Sequence, residues 1–188
     1  MTDAYVPVTV WHLEMLDRAE LRPASKQISG LEIREARLPV PEFNRFFYTA
    51  VGGDWYWRDR LSWEYGRWVQ VLAQPGYETW AAWLHGSPAG YFELEHSADN
   101  HVEIAYFGLL PHFVGKGIGG ALLTRAIERG WEKGANRVWV HTCSLDHPAA
   151  LANYQARGLK LFKEETVYVL PLGQTPGPWP GANRAPAR

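Results

Sequence analysis

His112-Phe113-Val114-Gly115-Lys116-Gly117-Ile118-Gly119-Gly120, running on into Ala121-Leu122-Leu123, is the stretch whose reading decides the fold. Glycine stands at 115, 117, 119 and 120. Residues without a Cβ reach φ > 0 and let another molecule touch the backbone, so this is a turn built for contact and not for filling a core. Beyond it, Leu122, Leu123, Ala126, Ile127 and Trp131 recur at three and four residues, and Gly134 ends the run. That spacing predicts an amphipathic helix. A glycine turn opening a helix aims several unpaired N–H groups, and the positive end of the helix dipole, at one point. Such a point is an anion site, with phosphate the usual occupant.

Two other phosphate loops share some of these glycines. Gly115, Gly117 and Gly120 satisfy the dinucleotide fingerprint Gly-x-Gly-x-x-Gly, which expects a tight turn directly off a strand and an acidic residue about 20 positions on. Here Pro111 interrupts the approach, and Val140 and His141 stand where the acid belongs. A P-loop needs Gly-Lys-Ser/Thr, but Gly117 follows Lys116. A bare surface turn is the remaining reading.

The chain around the turn reads as a mixture of strands and helices. Val6–Leu16 predicts a first strand, Arg22–Ser25 a connection, and Leu31–Arg37, with strict alternation, a half-buried strand. A helix over Pro41–Val51 would bury Phe43, Phe46, Phe47 and Ala50, and Gly52-Gly53-Asp54 breaks it. A second helix is read over Trp57–Gln74 from Leu61, Tyr65, Trp68 and Leu72. Tyr77–Leu84 and Ala89–Glu95 flank His85-Gly86-Ser87-Pro88 as a hairpin, and a turn at 97–100 leads into the strand His101–Leu110. Three antiparallel strands therefore reach the glycine turn, which argues against a dinucleotide fold. Arg137–Cys143 is a strand whose helical crossover makes it parallel to the one before the turn. A helix over Asp146–Leu159 has Pro148 in its first turn and Gly158 at its end, and Leu161–Leu170 supplies a last strand through Phe162, Val167 and Val169.

Strand, Pro, short loop, Gly-x-Gly-x-Gly and helix together resemble the acyl-CoA loop of the GNAT acetyltransferase superfamily. Its signature, Gln/Arg-x-x-Gly-x-Gly/Ala, falls on Val114-Gly115-Lys116-Gly117-Ile118-Gly119. Both small positions match and the first does not, so any help the usual Gln or Arg gives must come from backbone or from Lys116. The late helix resembles a second family pattern, Asn-x-x-Ala-x-x-Leu-Tyr-x-x-x-Gly-Phe. Ala150, Tyr154 and Gly158 keep register, while His147, Asn153 and Leu159 replace Asn, Leu and Phe. The resemblance covers Leu31–Leu170, with residues 1–30 as an N-terminal strand and connection of the same domain and 171–188 as a poorly ordered Pro/Gly-rich tail.

The resemblance implies an α/β GNAT fold. Its central sheet is mixed, mostly antiparallel, flanked by helices, and splayed between the Glu103 strand and the Val138 strand. It implies acetyl-CoA as co-substrate and direct transfer of the acetyl group to a primary amine. Cofactor contacts then fall to Phe107, Gly108 and Leu109, to Val114, Gly115, Lys116, Gly117, Ile118, Gly119 and Gly120, and to His147 and Asn153. Backbone N–H groups at the end of the Phe107 strand would hold the oxyanion. Tyr154 would protonate the leaving thiolate, and Glu103 would remove the amine proton, directly or through water. Glu93 and His141 are alternative bases. Trp55, Tyr56 and Trp57, beside Arg58, Asp59 and Arg60, fall in the acceptor region. A longer acyl group is one alternative, and a non-catalytic acyl-CoA sensor is another.

Composition narrows the classes further. With 46% hydrophobic and 21% charged residues, the chain has the balance of a globular domain. A net charge of −1 gives no general attraction to nucleic acid or membrane. The partner that the resemblance implies is a small-molecule or peptide amine, with a homodimer left open. Cys143 is the only cysteine, which rules out an internal disulfide, and the seven histidines show no ligand spacing, so no metal is expected. Cys143 itself reads as a packed side chain, not a nucleophile. The opening residues lack a basic region and an apolar core, which predicts a cytoplasmic protein. Most of the ten tryptophans are expected to serve packing.

Overall fold

Apolar runs build Tyr77–Leu84 (β3) and Ser87–His96 (β4) into the expected hairpin, but its turn is tighter than four residues. Only His85 and Gly86 lie outside the strands, with φ of 49° and 80°, the mirror-image turn whose twist suits paired strands. His101–Leu109 (β5) adds antiparallel to β4, so three antiparallel strands do reach the glycine turn. These coordinates are a computed structural model, which describes residues 5–170. The tail expected from Pro171 lies outside the described residues.

The sheet has seven strands in the order β2, β3, β4, β5, β6, β1, β7, where β1 is Val6–Met15, β2 Leu31–Glu35, β6 Arg137–Cys143 and β7 Lys160–Val169. All neighbours are antiparallel except β5 and β6, which run parallel as the crossover requires. That parallel pairing covers His101↔Arg137, Val102↔Val138 and Glu103↔Trp139 only. Past Glu103 the two strands part, which opens the sheet where the splay was expected. Strand periodicity does not locate a strand within a sheet: β1 inserts between β6 and β7, while β2 forms the opposite edge. Residues 16–30 must therefore cross the molecule.

Alternation sends Tyr91 and Phe92 to opposite faces. Phe92, Leu94, Ile104 and Val138 pack against Leu122, Leu123, Ala126 and Ile127 of Ile118–Glu132 (α3), and none of the eight is more than 2% exposed. Apart from the small Ala126, each such side chain stabilises the fold by about 1.5–3 kcal/mol. On the other face Pro41–Gly52 (α1) lays Phe47 and Val51 on Ala81 and Tyr91. Its inward face differs from the one expected: Phe46 is exposed, and Asn44, Tyr48 and Val51 are buried. Asn44 fixes that rotation, donating to Thr79 Oγ1 at 2.7 Å and Glu93 Oε1 at 2.6 Å.

The second helix is much shorter than its periodicity implied. Only Tyr65–Leu72 (α2) is helical, and residues 53–64 form turns. Arg60 accounts for the break. It is 4% exposed, with Nη1 2.8 Å from Tyr77 Oη and 2.6 Å from the buried Glu93 Oε2. Its guanidinium also lies over the Tyr106 and Trp63 rings. Drawing that charge inward ties the segment to the sheet, and Trp55 N–H and Trp57 N–H bond back to the Gly52 carbonyl. The late helix is likewise trimmed to Ala150–Ala156 (α4). Of the described tryptophans, Trp68 and Trp80 are buried and the others are partly exposed.

Candidate active site

The gap between β5 and β6 is a cavity of about 730 Å³. One wall is the free edge of β5 from Ile104 to Leu109, and the other is Val140–Cys143 of β6. Both edges carry backbone groups that no strand among the described residues pairs with, the kind of surface an extended ligand can join. Gly108 allows the close packing that shapes this wall, because a Cβ there would collide with Val51 of α1. Phe107, Gly108 and Leu109, the strand residues to which the resemblance assigns cofactor contacts, all line the cavity.

The glycine turn closes one end. Pro111–Phe113 forms a 3-10 turn, and Gly117, with φ of 86°, is the left-handed N-cap of α3. No side chain caps this helix, so its first-turn N–H groups are left for a ligand. Val114, Gly115, Gly117, Gly119 and Gly120 face the cavity. Ile118 is fully buried in the core, so it can offer a ligand only its backbone. Lys116 turns its Nζ away, to His112 Nε2 at 3.2 Å and over the Phe113 ring. The helix-dipole and turn geometry fits an anionic diphosphate, and the site gains no polar side chain at Val114.

The second motif reaches the same cavity. Tyr154, 5% exposed, lines it with its ring edge-on to Phe107 at 6.0 Å. Burial, then the nearby Asp146 carboxylate, pushes its hydroxyl well above the usual range, so it stays a proton donor at neutral pH. Asn153 donates to the Gly119 carbonyl at 3.5 Å, joining α4 to the first turn of α3. His147 Nδ1 accepts from Ala149 N–H, and its ring meets Trp55 edge-on.

Glu103 lies behind the wall and does not line the cavity. Its Oε1 is 3.0 Å from Nδ1 of His141, which does line it. That hydrogen bond, despite partial burial, raises the imidazole above its usual range. Glu93 is fully buried and held by Arg60, Tyr77 and Asn44 on the α1 side of β4, away from the cavity.

Trp55, Tyr56 and Trp57 line the far end, and Tyr56 holds φ of 67°, a conformation side chains rarely adopt. Two carboxylates not assigned a role from the sequence stand beside them: Asp59, named there only as a neighbour of the rings, and Asp146. Asp59 accepts from Tyr48 Oη at 2.7 Å and from Tyr106. Asp146 accepts from Thr142 Oγ1 at 2.6 Å and Cys143 N–H at 3.0 Å, with Trp57 Nε1 at 3.4 Å. Among the described residues, no Lys or Arg lines the cavity. Asp59 sits between two arginines in sequence and reads as a solvated charge; it stays exposed, and nothing local reveals that Tyr48 and Tyr106 hold it at the cavity. Cys143 lines the wall half-buried, its thiol pushed up by burial and then by Asp146.

Known proteins carry the same architecture. A family model described as "Acetyltransferase (GNAT) family" matches residues 39–159. A curated mycothiol acetyltransferase of Corynebacterium aurimucosum is 28% identical over 183 residues, covering 85% of this chain. The chain spans 58% of that protein's length. Among solved structures, a GCN5-related N-acetyltransferase from Sphaerobacter thermophilus superposes with a TM-score of 0.64 at 18% identity, covering 93% of this chain and 56% of its own. A second GCN5-related N-acetyltransferase, from Kribbella flavida, gives 0.62 at 18% identity over 88% and 59%. An aminoglycoside acetyltransferase from an uncultured soil sample gives 0.55 at 19% identity over 68% and 87%. At these identities the structures establish the fold.

Proposed function

The chain belongs to the GNAT acetyltransferase family, and on that premise we propose that it moves an acetyl group from acetyl-CoA to a primary amine by direct attack on the thioester. The observation that carries this reading is the uncapped, glycine-headed start of α3 opening onto a cavity whose wall is the unpaired edge of β5. Acetyl-CoA supplies the acyl thioester. The turn at residues 114–120 holds the diphosphate, and the β5 edge at Phe107–Leu109 holds the pantetheine arm and the carbonyl oxygen.

His141 takes the proton from the incoming ammonium at its Nε2. Glu103 holds the imidazole through Nδ1 and stabilises its charged form, so Glu103 is a positioning residue and His141 faces the acceptor. Tyr154 Oη gives its proton to the departing sulfur. A thiol of pKa about 8.5 leaves readily, so this acid contributes modestly. Asp59 and Asp146, among the Trp55–Trp57 rings in a cavity whose described lining holds no Lys or Arg, favour a cationic acceptor. Screening amines with acetyl-CoA while following free thiol tests the reading. Release that depends on both an amine and Tyr154 supports it; tight CoA binding with no turnover on any amine favours a sensor.

A longer acyl group is the second reading. Val8, Val10, Val167 and Val169 of β1 and β7 also line the cavity and offer an apolar wall beyond β6. Higher kcat/KM with a medium-chain acyl-CoA than with acetyl-CoA would select it.

A further inference from the structure

We propose that Lys26, on the segment that carries the chain from β1 to β2, supplies the cation for the CoA diphosphate that the glycine turn lacks at Val114. The inference rests on the CoA-binding reading above. Residues 16–30 lie outside the stretch matched by the family model, yet they pass directly over the turn. Arg22 N–H bonds to the Arg157 carbonyl at 3.0 Å, and Ala24 N–H bonds at 3.0 Å to Thr124 Oγ1, which in turn donates to the Gly120 carbonyl at 2.8 Å. Leu21 and Ile28 pack onto the core on either side. Lys26 is thus held between two anchors, not on a free loop.

Its side chain lies against the mouth of the site. Cδ is 3.0 Å, and Nζ 3.4 Å, from where a Cβ on Gly117 would stand, and Nζ donates to the Lys116 carbonyl at 3.4 Å. Among the described residues, no carboxylate forms an ion pair with Lys26. An exposed ammonium held only by one carbonyl, within reach of free helix N–H groups, is placed to pair with a phosphate oxygen. Lys116, the cation the turn itself contains, is directed at His112 and Phe113 instead. The missing Gln/Arg is therefore replaced from a different part of the chain.

Calorimetric titration of wild type, Lys26→Ala, Lys26→Arg and the remote control Lys163→Ala with CoA and with dephospho-CoA tests this. The expected result is wild-type binding to both, about 10-fold weaker binding by Lys26→Ala to both, and near-wild-type binding by Lys26→Arg and Lys163→Ala. The Lys26→Ala loss should also come with a shallower dependence of affinity on salt. Unchanged affinity in Lys26→Ala, with wild type binding normally, would overturn this inference alone. A loss with CoA but none with dephospho-CoA would move Lys26 to the 3′-phosphate and overturn it as well. No binding by wild type would overturn the CoA reading and this inference together. Because Lys26 is exposed, unchanged thermal melts are expected for every variant.

Discussion

On the proposed reaction Tyr154 and His141, which both line the cavity, would share the proton transfers, and each role has its own test. Tyr154→Phe keeps the ring against Phe107, so CoA affinity should stay within about twofold while kcat falls by about 10-fold or more. An unchanged kcat would remove Tyr154 from the reaction. For His141 the pH dependence is decisive. Glu103 favours the charged imidazole, so the folded pKa is raised, and the neutral base becomes available only as pH climbs through that raised value. Activity should therefore rise with pH above the ordinary histidine range. Glu103→Gln should move this limb of kcat/KM to lower pH, and His141→Asn should abolish it with a loss of about 10²–10⁴ in rate. The sequence leaves Glu103 and His141 as alternative bases, because only the fold brings the Glu103 carboxylate to His141 Nδ1 and His141 to the cavity.

Elements carry the next set of consequences. The glycine turn and α3 were fully legible, because φ > 0 at Gly117 and a regular apolar stripe are both local properties. Leu122→Ala, at the centre of that stripe, should cost about 2–5 kcal/mol in chemical denaturation. The segment before α2 was not legible, because its conformation is set by a partner far away in sequence. Arg60 and Glu93 form a buried pair bonded to Tyr77 and Asn44, with the half-exposed Glu95 3.5 Å from Arg60 Nη2, and that cluster outweighs the helical spacing of Leu61 and Tyr65. Glu93→Ala should leave the buried guanidinium with only the half-exposed Glu95 carboxylate for a counter-charge, costing about 3–5 kcal/mol, while Arg60→Met with Glu93→Leu should recover most of the loss. If the double variant were no more stable than Glu93→Ala, the break in the helix would need another cause.

At the scale of the whole molecule, long-range ties join the parts that sequence reading treated in order. Glu78 of β3 is gripped by Arg129 and Lys133 at the end of α3 and by Trp80 Nε1. Burial alone would raise this carboxyl, but those hydrogen bonds hold it at about 2. Its contribution to stability is complete above about pH 4.5 and is lost as pH falls toward 2. The Tm gap between wild type and Glu78→Gln should accordingly close across that window, and a gap that persists at pH 2 would contradict the assignment. The insertion of β1 beside β6 is the other global feature, and it has no sequence signature, since period-two alternation says a strand exists and not what it pairs with. Its consequence is the crossing segment that brings Lys26 to the glycine turn. The account as a whole depends on what that turn holds, and a crystal structure of the chain with CoA tests it most directly. Diphosphate oxygens within hydrogen-bond distance of the main-chain amides between Val114 and Gly120, with pantetheine along Phe107–Leu109, are predicted; CoA bound elsewhere, with the cavity empty, would contradict it.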